Sequence, residues 1–370
     1  MNQKSRSNLI LINAIKLHQG PQRLPTGNFQ HVLHLVESLV QRCEIGLKIL
    51  TDLDSYPPLA ERVGEKYLIQ TNLKGNSLIA ADRAVVSAIR RYRPKVYHRP
   101  TGQLPFSRLP CRAITGIADL SFMVLPHPWH KRLYKELSYR WSIMRADRIV
   151  CVSKFTRDDV HHRLKVPLSK LRVVYHGTNP LGAPNYTLSK NINGKYFLVF
   201  AHQVHKNAEL CLEVLEKLRD RHPDLNLVLV GSNLFIEGYL KPLAKRLNLS
   251  EAAKFVGAPT AAELSGLYRR ARGLLFPSRF EGFGLPVLEA MGVDCPVLSS
   301  NVCSLPEIAG DGAVLLAPND IEGWIRETER FLVDDEHYRR MVQLGRLQAA
   351  QFTWDKAADA TISIYRELFG

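Results

Sequence analysis

Short apolar runs that alternate with amphipathic stretches, twice over, most narrow the folds open to this chain. NLILINAI (8–15), IGLKIL (45–50), KVYH (95–98), CRAITGIAD (111–119), RIVCVS (148–153) and LRVVYHG (171–177) read as strands. A second set follows: YFLVFAH (196–202), LNLVLVG (225–231), AAKFVG (252–257), ARGLLFP (271–277), CPVLSS (295–300) and AVLLAP (313–318). Between them lie helical patterns such as HVLHLVESLVQR and NAELCLEVLEKLRDRH. Strand–helix alternation with short loops predicts parallel sheets covered on both faces. The expectation is an α/β chain with two Rossmann-like, doubly wound domains that face each other across a cleft. TNPLGAPNYTLSKNING (178–194) has no apolar period and reads as the linker between domains 1–177 and 195–350. In open parallel sheets ligands bind at the carboxyl ends of the strands, so the chemistry is expected there.

The 370 residues are too many for one ordinary core. No run of about 18 apolar residues marks a membrane span. The apolar stretch near the N-terminus lacks a small-residue cleavage site and reads as a first strand rather than a signal peptide. Six scattered cysteines (43, 111, 151, 211, 295, 303) form no CxxC pair, which argues for reduced thiols in a cytoplasmic protein and against a zinc site. The net charge is +15, and its distribution is uneven: residues 1–180 carry +17 and residues 181–370 carry −2. Such asymmetry suits an anionic partner for the first half, although solubility charge is the bland alternative.

FPSRFEGFGLPVLEAMG (276–292) holds Glu281 and Glu289 around a glycine turn. LLFPS predicts a strand ending at Pro277, and Pro286 suits the first residue of a helix that stops at Gly292. The N–H groups of Phe283, Gly284 and Leu285 would then stand at a helix N-terminus, an anion site that glycine lets a ligand approach closely. Glu289 is expected in the first helical turn and Glu281 on the strand-end side. A diphosphate flanked by two hydroxyl-binding carboxylates suits a nucleotide sugar. Either acid alone is better explained by the helix dipole.

This stretch resembles the E-x7-E signature of the retaining glycosyltransferases of family 4, which adopt the GT-B fold. PTGNFQHVLHLVESL (25–39), RADRIVCVSKFTRDDV (145–160), VVYHGTN (173–179), YFLVFAHQVHKN (196–207) and PEIAGDGAVLLAPND (306–320) are similar to that family in the expected order. QFTWDKAADATISIYREL (351–368) resembles its last helix, so 351–370 is expected to pack back on the first domain. The resemblance implies that Glu289 holds the ribose hydroxyls and that Glu281 contacts the sugar at the reaction centre. It implies that Phe283, Gly284 and Leu285 donate to sugar and phosphate, and that Lys206, followed by Asn207, neutralises the diphosphate. Gly27 matches the first-domain glycine loop, Val256 to Ala258 the region of the base, and Leu264 the helix position behind it. No obligatory metal and no cofactor are implied. The co-substrate is a nucleotide diphosphate sugar, with GDP-mannose favoured.

Two departures stand out. His202 and Gln203 occupy the phosphate loop where the family commonly has arginine, and Ala118 replaces a usual histidine while Asp119 remains as a candidate for acceptor orientation. His127 or His98 could substitute for that histidine, but such residues more often belong to a loop or a core. The basic, aromatic segment 127–148 and RRYRPK (90–95) suit a glycan or lipid-linked acceptor and peripheral contact with an anionic membrane. The alternative is a core helix that buries Leu133, Leu137 and Met144. Nucleic-acid binding has no motif behind it. A nucleotide-sugar epimerase, or a binding protein without turnover, are the competing readings. Oligomeric state is not legible.

Overall fold

The computed structural model describes residues 8–15, 27–42, 45–73, 77–178, 181–190 and 192–369. The chain divides into two compact units, Met1–Gly177 with Thr353–Gly370, and Thr178–Phe352.

Unit 1 is built on β1 (Ile10–Asn13), β2 (Leu47–Thr51), β3 (Leu68–Gln70), β4 (Val96–Arg99), β5 (Arg112–Ile117), β6 (Arg148–Cys151) and β7 (Leu171–Val173). All pair in parallel in the order β3-β2-β1-β4-β5-β6-β7. Unit 2 carries β8 (Tyr196–Phe200), β9 (Asn226–Val230), β10 (Ala253–Phe255), β11 (Gly273–Phe276), β12 (Val297–Ser300) and β13 (Ala313–Leu316). Its order is β10-β9-β8-β11-β12-β13, again parallel throughout. Each sheet reverses strand order beside its first strand, which is the doubly wound pattern with its switch point. The central strands are buried on both faces, as their near-continuous Val, Ile and Leu require.

In unit 1 the helix α1 (Gly27–Arg42) packs with the sheet through Phe29, Val32, Val36 and Leu39. Farther along run α2 (Leu78–Tyr92), α3 (Trp129–Arg145) and α4 (Lys154–Leu164), and in unit 2 α5 (Ala208–Leu218), α6 (Ala261–Arg270), α7 (Leu285–Gly292), α8 (Ile321–Val333) and α9 (Asp335–Ala349). The last helix, α10 (Trp354–Phe369), returns to unit 1. It places Trp354, Ala358, Ile362 and Tyr365 in the same core as α1. Ser38 Oγ donates to Asp355 Oδ1 at 2.7 Å, and Arg42 grips Asp359 with two bonds of 2.9 and 2.7 Å.

Described residues of the expected linker, 178–194, hydrogen-bond to unit 2. Thr178 N–H donates to Phe352 O at 3.0 Å and Asn185 N–H to Ala262 O at 2.8 Å, so this backbone is tied to unit 2. Polar turn residues signalled an unperiodic segment, but not these bonds to residues far along the chain.

The alternative of a core helix that buries Leu133, Leu137 and Met144 is not what is found. α3 buries Ser138, Ser142 and Ile143 and turns its large apolar side chains outward. Trp129 is 76% exposed, Leu137 59% and Met144 67%, with Leu133 and Tyr134 exposed beside them. Serines on the inner face allow close approach: Leu104 N–H donates to Ser142 Oγ at 2.9 Å.

Candidate active site

The site is assembled at the switch point of unit 2, where the chain leaves β8 and β11. After β8 a single 3-10 turn, Val204–Lys206, ends at Asn207 in the left-handed region with φ 58°. Asparagine tolerates that conformation because its short amide bonds locally. Here the amide reaches across strand ends, with Nδ2 donating to Pro277 O at 3.2 Å and Pro318 O at 2.8 Å. The turn thereby fixes Lys206 against β11. Arg279 N–H donates to His205 O at 2.8 Å and closes the two loops on each other.

Lys206 Nζ donates to Glu281 Oε1 at 2.6 Å, with the side chains only 8% and 12% exposed. The ammonium also lies 4.9 Å from the centre of the Phe276 ring. A buried pair of this kind persists only where its geometry is good. Ser304 Oγ, buried, lies 2.9 Å from Glu281 O and 3.0 Å from Phe283 O and donates to these carbonyls, holding the glycine turn in shape.

Gly284 caps α7 with φ 107°, and a Cβ there would meet Leu305 Cδ2 at 2.8 Å. Glycine is therefore required on two grounds, backbone and space. Leu285 is the first residue of α7 and Pro286 the second, one position later than expected. The placement of Glu289 is corrected likewise: it is the fifth helical residue, beyond the first turn. Its Oε2 accepts from the Tyr268 hydroxyl at 3.4 Å, a contact the spacing of the two acids could not reveal.

His202 follows β8 on the other side of the turn. Desolvation, then the Lys206 ammonium, pull its pKa down to about 4. The residue nonetheless keeps an exposed face, and exposure and depression agree on a neutral ring at pH 7. Its carbonyl accepts from Asn233 Nδ2. Gly231, at the end of β9, has φ 144°, and a Cβ there would meet His202 Cβ at 3.0 Å. Gly231 N–H donates to Gly257 O at 2.6 Å, which brings the segment of Val256 and the exposed Ala258 beside His202. Leu264 lies half-buried on α6, whose start is fixed by a capping box between Thr260 and Glu263.

The remaining expected residues belong to unit 1. Gly27 opens α1, while Pro25 and Thr26 lie outside the described residues. Asp119 Oδ1 accepts from Ser121 N–H at 2.7 Å, where the short helix Ser121–Val124 begins. His98 is a core residue: it is buried, with Nδ1 2.7 Å from the Tyr365 hydroxyl. His127 is exposed. The chain contains one Asp-x-Asp triplet close to a strand end, Asp52-Leu53-Asp54. Asp52 Oδ1 accepts from Ser55 N–H at 2.9 Å, which gives it a turn-forming part. Among the described residues no group of three or more His, Cys, Asp or Glu could hold a metal ion. No helix among them is long and apolar enough to cross a membrane.

Two family models match the chain. Glycosyltransferase Family 4 covers residues 26–180, and Glycosyl transferases group 1 covers residues 188–348. The chain is 31% identical over 298 residues to O-antigen chain mannosyltransferase B of Escherichia coli, covering 76% of each protein. It is 26% identical over 209 residues to the O-antigen chain mannosyltransferase RfbU of Salmonella typhimurium, covering 56% of this chain and 57% of that one. Among solved structures, a sucrose-phosphate synthase from Thermosynechococcus elongatus superposes with TM-score 0.78 at 20% identity, covering 98% of this chain and 99% of the other. Anabaena HepE, solved with UDP and glucose, gives TM-score 0.75 at 16% identity over 97% of this chain and all of that one. These structures establish the fold as GT-B. With two parallel Rossmann-like sheets, both family models and the mannosyltransferase relative in agreement, the chain belongs to the group 1, family 4 glycosyltransferases.

Proposed function

We propose that the protein is a retaining, metal-independent hexosyltransferase that takes a hexose from a nucleotide diphosphate sugar. The acceptor is a glycan or a lipid-linked glycan. Mannose, from GDP-mannose, is the preferred hexose, because relatives of 31% and 26% identity are named mannosyltransferases. The observation that carries the reading is the buried Lys206–Glu281 pair at the β8/β11 switch point, beside the glycine-capped start of α7.

In this reading the donor diphosphate takes Lys206 from Glu281. The ammonium and the α7 N-terminus then stabilise charge on the leaving phosphate, fixed donors being effective where water is excluded. Glu281, released, accepts sugar hydroxyls and supports positive charge at the anomeric carbon. Glu289, oriented through Tyr268, takes the ribose hydroxyls. The neutral His202 contributes a hydrogen bond where a permanent charge is usual in the family.

Thermal unfolding with GDP, UDP, dTDP and ADP, on wild type and Lys206→Ala, tests the donor class. A ligand at a hundred times its dissociation constant stabilises the folded state by about 2.7 kcal/mol. One nucleotide is expected to raise the wild-type midpoint, and Lys206→Ala to remove most of the rise. Turnover with the matching sugar, the anomeric signal of the product and indifference to EDTA then test retention and metal independence. Nucleotide binding without turnover would favour a binding protein, the reading that Ala118 supports.

The outward face of α3 supports peripheral contact with an anionic membrane on the cytoplasmic side. Trp129, Leu133, Leu137 and Met144 stand exposed among Lys131, Arg132 and Lys135. Aromatic and aliphatic side chains flanked by cations suit the headgroup boundary of an acidic bilayer. Sedimentation with phosphatidylglycerol vesicles, and none with phosphatidylcholine, is expected; equal failure with both at low salt would remove this part.

A further inference from the structure

Unit 1 has its own switch point, between β1 and β4, and a half-buried cation, Arg99, stands at it. Asn13 is the last residue of β1 and Arg99 the last of β4, so both lie at the carboxyl edge of the sheet. Arg99 Nη1 donates to Asn13 Oδ1 and to Ile15 O, each at 2.8 Å. Asn13 is itself held: its Nδ2 donates to the Tyr97 hydroxyl at 2.6 Å and its Oδ1 also accepts from Ile15 N–H at 2.8 Å. The guanidinium is thus fixed from one side by neutral groups. Its Nε is buried without a hydrogen-bond partner. The hydrogen bonds of Arg99 among the described residues go to two neutral oxygens, while the Asp52 carboxylate attracts the guanidinium through space. Segment 16–26, which follows Ile15, contains no Asp or Glu.

Gly102 lies against the guanidinium and brings no side chain to it. Gly102 has φ 94°, and a Cβ built there would find within 4 Å only Arg99 Nε at 3.7 Å and Nη2 at 3.9 Å. Thr115 Oγ1 donates to Gly102 O at 2.7 Å, so this glycine is anchored. A guanidinium with free donors matches the geometry of a carboxylate or phosphate.

We propose that Arg99, braced by Asn13 and Tyr97, is an oxyanion-binding group of unit 1 that takes a carboxylate or phosphate on the acceptor. Naming that ligand the acceptor rests on the glycosyltransferase reading; binding of the anion does not.

The test is the thermal midpoint of the full chain in sodium phosphate or sodium glucuronate against sodium chloride at matched ionic strength. Wild type and Lys206→Ala are compared, each with and without Arg99→Gln. Expected is a saturable rise that persists in Lys206→Ala and disappears with Arg99→Gln. A response to phosphate alone assigns a phosphate ester; a response to glucuronate alone assigns an acidic sugar. Arg99→Lys keeps the charge but loses the planar fork, so its apparent affinity should fall at least tenfold. This variant decides the matter if Arg99→Gln does not fold. A rise of equal size and affinity with the Arg99 substitutions, or none with either anion, overturns the proposal. Failure of the nucleotide experiment at Lys206 leaves this readout unaffected.

Discussion

The Lys206 ammonium and the Glu281 carboxylate, from loops that follow β8 and β11, meet at 2.6 Å in a site almost closed to water. Removing either member leaves the other as an uncompensated buried charge, which costs about 3–5 kcal/mol. Lys206→Ala and Glu281→Gln should each lose that much in denaturant unfolding at pH 7 and lose turnover. Lys206→Met combined with Glu281→Gln should recover most of the stability and none of the turnover. Additive losses in the double variant would show that the pair is not coupled.

Ser304 acts on Glu281 through the backbone. Ser304→Ala leaves the carbonyls of Glu281 and Phe283 without their hydroxyl, an expected loss of about 1 kcal/mol. Because the turn is loosened while its charges stay, kcat should fall more than KM rises. Unchanged kcat with a lower melting midpoint would make the hydroxyl purely structural.

Gly284→Ala faces both an unfavourable φ of 107° and the Leu305 side chain 2.8 Å from the new methyl group. The cost should exceed about 1 kcal/mol, the strain of a left-handed alanine alone. Leu305→Ala in the same chain relieves the contact and not the backbone, so only part of the loss should return.

Unit 1 should weaken in mild acid. Burial, then a neighbouring histidine, hold His31 and His98 neutral down to about 3, against 6.5 for a free imidazole. The lowered folded pKa means this contribution is whole above pH 6.5 and is lost as pH falls, because the unfolded chain takes up the protons. At pH 5 each costs about 2 kcal/mol. His176, buried against His31 at 4.1 Å between ring centres and also pushed well below its ordinary pKa, adds to the effect. A midpoint for unit 1 that stays level from pH 7 to pH 5 would contradict this.

Leu133→Ser and Leu137→Ser replace side chains that α3 already exposes. Neither should shift stability by more than about 0.5 kcal/mol. Both should reduce binding to phosphatidylglycerol vesicles, and unaltered binding would move the contact elsewhere.

Much of the fold was legible because buried parallel strands must be apolar throughout. Each of the twelve apolar runs contains a strand. β3 escapes because at the sheet edge Leu68 and Ile69 are only partly buried and Gln70 is exposed, so the strand lacks a long apolar run. The acidic pair and Lys206 were legible as a spacing and a family pattern. Their direct ion pair was not, since 75 residues separate Lys206 from Glu281. Arg99 carried no signal: only the fold shows a cation held by Asn13 and Ile15 with its Nε unpartnered. The α3 stripe left two readings open, because an apolar period tells which side chains share a face and not which way the face points.

The return of α10 to unit 1 has a consequence for synthesis. A nascent chain emerging from the ribosome can complete the core of Thr178–Phe352 from continuous sequence, but not that of the unit that precedes it. Until Trp354, Ile362 and Tyr365 are released, α1 lacks the side chains it packs against, and its apolar face stays open. The first unit to be translated is therefore the last to be finished, and chaperones have their longest opportunity there.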